Sequence, residues 1–136
     1  MIAIIPDILL LLFPFLMLAF KLFLTQVQTA HKNFAFAYLF ILLICQNFVL
    51  IGDTQVYFSN WQIDTFGIFM REIFTLSALL ALLLSENYFK HSMSEKPRLL
   101  HFSEFAASIG FATFGGIVVV SANDLLTLFL GLELAT

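Results

Sequence analysis

Glu133 is the residue whose type and position call for chemistry in this 136-residue chain. It ends a nearly unbroken apolar stretch that begins at Leu125, with only Thr127 and Gly131 breaking it. A helix rising 1.5 Å per residue puts Glu133 about 15 Å past Asn123, near the midplane of a hydrocarbon core about 30 Å thick. An ionised carboxylate is costly there, so such groups pair with a cation or line a proton or ion path. A protonated Glu bonded to neighbouring backbone is the plain structural alternative. No Lys or Arg of the chain falls at that depth, so a cationic partner for Glu133 has to come from elsewhere.

The other reactive types carry less. Arg71 and Glu72 stand side by side about a turn and a half inside an apolar run, and their position reads as an interfacial ion pair, with each other or with an acid on a neighbouring helix. Asp7 lies in the opening turn of the first run, at a helix end. Cys45 is the single cysteine and the three His fall at water-facing edges, so neither a zinc site nor a redox pair is expected. A Gly-rich nucleotide loop and a Cys cluster are both missing from the sequence, which leaves no flavin, iron-sulfur or quinone ligand set.

These residues are set in a chain made for lipid. It is 61% hydrophobic and 11% charged, with a mean hydropathy of +1.00. A soluble domain is about 45 to 50% apolar and about 25% charged. The net charge of -3 and the lack of a basic run exclude nucleic-acid binding. The fold class expected is an all-α membrane protein, one segment over 1–136 with helices over about 2–24, 33–52, 66–84 and 105–122, and the first part of a fifth over 124–136. Pro14 should bend the first helix without ending it. A signal peptide is the competing reading of that run, but no Lys or Arg precedes it and no small-residue cleavage site follows. Asn123 and Asp124 offer side-chain caps to the fifth helix. Ser108, Ala112 and Gly116 form a small-residue stripe on the fourth, a surface on which another membrane helix can pack closely. Trp61 and Tyr57 suit an interfacial aromatic belt, and the eighteen Phe read as packing and lipid-facing bulk.

Lys21 and Lys32 flank the first loop and Lys90, Lys96 and Arg98 occupy the third, whereas the second has no Lys or Arg between Asp53 and Asp64. Positive-inside placement puts loops one and three on the inner side and the N-terminus outside.

The stretch from Ser121 through Asn123-Asp124-Leu125-Leu126 to Gly131-Leu132-Glu133-Leu134 resembles the start of the fifth helix in subunit 2 of NADH:ubiquinone oxidoreductase, respiratory complex I. The likeness extends through Glu104-Phe105 and Gly115-Gly116, and through Ile63-Asp64-Thr65-Phe66, and is weakest over the first sixty residues. Related antiporter-like subunits of that complex share the helix-five acid. The resemblance implies that Glu133 serves proton translocation in a half-channel, paired with a lysine on a seventh helix. It also implies that FMN, iron-sulfur clusters and ubiquinone belong to partner subunits, with none in this chain. A full subunit has a dozen or more helices, so the remainder is expected on a second polypeptide, associating through the Ser108, Ala112, Gly116 stripe or the free flank of helix five; the alternative is a cut product. Other membrane-arm subunits and the lipid bilayer are the expected partners. A charge-poor, Phe- and Leu-rich chain points to the mitochondrial inner membrane, with the bacterial plasma membrane as alternative. The competing functional reading is a structural scaffold fragment with no transport role of its own. A small dimeric exporter would want its essential acid within the first helices, where the only acid, Asp7, sits at a helix end.

Overall fold

Apolar runs of this length satisfy their backbone polar groups only within themselves, and so they fold as helices. In the computed structural model, which describes residues 4–23, 28–49, 55–57, 61–91 and 98–136, the elements are α1 (Ile5–Phe23), α2 (Gln28–Val49), β1 (Gln55–Tyr57), β2 (Trp61–Ile63), α3 (Thr65–His91), α4 (Arg98–Ser121) and α5 (Leu125–Ala135). Several helices outrun the apolar stretches that mark them. Helix α2 starts at Gln28, α3 continues to His91 and α4 begins at Arg98. Two described helical stretches, Thr65–Ser85 and Phe102–Ser121, are long and apolar enough to cross a membrane; Ile5–Ala19, Lys32–Gln46 and Leu125–Ala135 are shorter apolar helices. Strands β1 and β2 pair antiparallel, Tyr57 opposite Trp61 and Gln55 opposite Ile63, forming a hairpin between α2 and α3 that the composition of the segment does not announce. Ser94 and Lys96 in the third loop, Asp53 in the second, and the side chains of Tyr57, Lys90 and Arg98 lie outside the described residues.

Helix α4 is the central element, packed against α1, α3 and α5, while α2 lies against α1 and α3. The core is built from one stripe of each long helix: Leu10, Phe13 and Met17 on α1, Leu39 and Leu42 on α2, Leu82 on α3, Phe102, Ala106 and Ile117 on α4. The spacing of Leu10, Phe13 and Met17 is the i, i+3, i+7 of one helical face. Helix α1 runs unbroken through Pro14. Tyr38 of α2 donates a hydrogen bond to the Leu9 carbonyl at 2.6 Å, one turn ahead of that proline. The α1–α4 crossing depends on Gly110, where a Cβ would stand 2.7 Å from a ring carbon of Phe13.

The outside of the bundle is as oily as the inside. Leu22, Phe40, Phe66, Leu84, Leu125 and Phe129 are each more than half exposed. Exposed apolar side chains in this number suit a surface that faces lipid or protein.

Candidate functional site

Helices α4 and α5 meet at a tight junction, and that junction sets where Glu133 goes. After Ser121 the chain turns, the Ala122 amide donating to the Val119 carbonyl. Asp124, in extended conformation, then caps α5: its Oδ1 accepts from the Thr127 amide at 2.8 Å. Those hydrogen bonds from Thr127 hold the Asp124 carboxyl below the usual carboxylate range.

From the cap α5 doubles back along α4 with almost no gap. A Cβ on Gly131 would lie 2.8 Å from the Val119 amide nitrogen, and one on Gly115 would lie 2.8 Å from the Gly131 carbonyl oxygen. Glycines at both faces allow this backbone-to-backbone approach, the small-residue mode of helix packing in membranes. The expected stripe divides differently. Gly116 faces the Phe74 ring of α3, whereas Ser108 and Ala112 are exposed. Gly116 is therefore spent inside the bundle and is no part of a surface open to a second polypeptide. Adjacent residues point about 100° apart on a helix, so Gly115 and Gly116 serve different neighbours.

Glu133 projects from α5 as an exposed side chain between the exposed Leu132 and Leu134. Among the described residues neither an ion pair nor a side-chain hydrogen bond reaches its carboxylate.

A second set of polar groups is buried at the end of the bundle where α4 turns into α5. The Arg71 Nε lies 3.1 Å from Asp7 Oδ1, and both side chains are 4% exposed. Of the two partners expected for Arg71, it meets the acid on a neighbouring helix, and the pair is buried within the bundle. Arg71 does not pair with Glu72, because consecutive residues on a helix cannot share a face. It turns inward and meets Asp7 of α1, which is buried despite its place in the opening turn. Arg71 also donates to the Ser121 hydroxyl, which itself donates to the Ile117 carbonyl at 2.8 Å. One turn further along α3, the Thr75 hydroxyl donates to the Arg71 carbonyl at 2.9 Å and accepts from the Gln46 amide of α2 at 3.0 Å. The polar groups of four helices thus converge on Arg71. Trp61 lies beside them: its indole borders Asp7 in a cavity of about 210 Å³ whose other walls are apolar, and its backbone bridges to Ala122. The hint in the sequence was that Asp7 and Arg71 both sit near the same end of their apolar runs, where lone charges seek each other. At the opposite end Lys21 and Glu104 pair at the surface.

No model of a protein family matches the chain. Individual relatives do. The chain is 36% identical over 116 residues to NADH-quinone oxidoreductase subunit N of Heliobacterium modesticaldum, a match covering 83% of this chain and 23% of that protein. It is similar to part of subunit N. Chloroplastic NAD(P)H-quinone oxidoreductase subunit 2 of Chlorokybus atmophyticus is 33% identical over 96 residues, covering 67% of this chain and 18% of the relative. F(420)H(2) dehydrogenase subunit N of Methanosarcina mazei is 35% identical over 81 residues, covering 60% and 15%. The chain therefore spans about a quarter or less of the curated relatives it matches. This kinship agrees with the resemblance to a membrane subunit of complex I, and the relatives named subunit N and subunit 2 support it alike.

Proposed function

We propose that the chain supplies the N-terminal helices of a proton-translocating, antiporter-like membrane-arm subunit of a complex I-type oxidoreductase, with Glu133 as the helix-five carboxylate of a proton half-channel. The observation that carries this reading is the position of Glu133. It stands on a short helix fixed to α4, exposed among apolar neighbours, with no cation near it among the described residues. A carboxylate surrounded by apolar side chains needs a partner beyond these five helices, and a lysine on a later helix of the subunit would provide one. Desolvation favours the protonated acid and a nearby ammonium favours the carboxylate, so alternation between these two surroundings moves a proton.

In this reading α1 to α4 cross the membrane with the N-terminus and Asp124 on the outer side, and the first and third loops inside. FMN, iron-sulfur clusters and ubiquinone are held by other subunits, and the redox energy they release drives the transport. The later helices reside on the same polypeptide or on a second one, which a denaturing mass measurement of the purified complex distinguishes. The membrane is an energy-transducing one. Composition favours the mitochondrial inner membrane, with the bacterial plasma membrane as the alternative.

Glu133→Gln in the assembled complex tests the reading. The amide cannot titrate, so the complex should assemble while proton translocation per NADH oxidised falls. Carrying one charge against about 100 mV requires about 2.3 kcal/mol, which a fixed neutral side chain cannot transmit through changes in its own charge. Unchanged rate and stoichiometry would favour the scaffold reading instead.

A further inference from the structure

We propose that Arg71, held by Asp7, is a positioning group: it fixes the junction between α4 and α5 and so sets the direction in which α5 carries Glu133. The importance of that direction for transport rests on the reading above, but the positioning itself does not. Three contacts converge on the junction. Arg71 donates to Ser121, the last residue of α4. Trp61 of the hairpin bridges to Ala122, the next residue. Asp124 caps α5 two residues later. Of these, only the Arg71 contact ties the junction to the body of the bundle through a charged group.

The arrangement is physically economical. The last turn of α4 presents carbonyls without helical partners, and a cation at a helix C-terminus is favourable there. Gly67, one turn ahead of Arg71 on α3, faces the end of α4: a Cβ on it would make ordinary contacts, 3.6 Å from the Val120 carbonyl oxygen and 3.7 Å from an Arg71 guanidinium nitrogen. Asp7 balances the charge of the guanidinium, whose hydrogen bond goes to Ser121, so α1, α3 and the end of α4 meet at one charged group. Helix α5 spans only Leu125–Ala135, and a small change of angle at its start displaces Glu133 sideways at its far end.

The test uses nitroxide amino acids introduced by nonsense suppression into the assembled protein in lipid, at the exposed positions Ser77 on α3 and Leu132 on α5. A second label pair, Ser77 with Ala112 on α4, reports on the body of the bundle. Asp7→Asn removes the anion that faces Arg71. Ser121→Ala, the milder change, removes only the hydroxyl that Arg71 reaches. Both variants should broaden the 77–132 distance distribution or shift it by about 3 Å or more, two residues of helical rise. The 77–112 distribution should stay as in the parent. An unchanged 77–132 distribution in both variants overturns the proposal, and so does equal broadening of both pairs, which would mean general loosening. Loss of transport in Glu133→Gln with intact distances leaves positioning standing, whereas altered distances with unaltered transport leave positioning standing and refute its link to transport.

Discussion

Arg71 and Asp7, from helices far apart in sequence, form a buried ion pair with Nε and Oδ1 3.1 Å apart. Taking two charges out of solvent is costly, and replacing both by apolar groups is often neutral or stabilising, whereas removing one leaves an uncompensated charge. Arg71→Met should therefore destabilise the bundle by about 3 to 5 kcal/mol. Asp7→Leu combined with Arg71→Met should recover most of that loss. Unfolding of the single and double variants in detergent, compared as a cycle, checks both.

Gly131 and Gly115 leave no room for side chains where α5 crosses α4. Gly131→Ala brings its Cβ against the Val119 backbone, which cannot move aside as a flexible side chain would. Overpacking of this kind costs about 1 to 3 kcal/mol. The expected result is faster hydrogen exchange in α5 with little change in α1. Exchange as slow as in the parent would show that the crossing tolerates a wider separation.

Asp124 makes α5 sensitive to acid. Its folded pKa lies below the ordinary value, so its contribution to stability is complete above the unfolded carboxylate pKa and disappears as pH falls through the lower folded value. Exchange of the Thr127 amide should accelerate as pH falls through and below about 4, beyond the intrinsic pH dependence of exchange. Asp124→Asn keeps an acceptor oxygen for the cap and should remove that extra acceleration. Asp124→Ala should expose the Thr127 amide at every pH.

Thr75 joins Gln46 to the backbone of Arg71 with a single hydroxyl. Thr75→Val keeps the shape and strands the Gln46 amide in a buried site. That should cost about 1 to 3 kcal/mol, seen as a lower unfolding midpoint. Adding Gln46→Leu removes the stranded group and should restore stability.

Period, hydropathy and capping are local properties, and they made the helical class, the continuity of α1 through Pro14 and the Asp124 cap legible in the sequence alone. Glu133 stands out as a candidate for the same reason: a carboxylate in an apolar run is conspicuous without any knowledge of its neighbours. Partnership is not local. Arg71 stands next to Glu72 in sequence, but helical geometry separates their directions, and the packing of both α1 and α3 against α4 brings Asp7 within reach. The small residues show the same division. Ser108, Ala112 and Gly116 form a stripe on paper, yet the closest crossing uses Gly115 with Gly131, and Gly116 receives Phe74. Which face of a nearly uniform apolar helix meets which neighbour depends on the relative rotation of the helices, and a helix apolar on every side carries no sequence signal for that rotation.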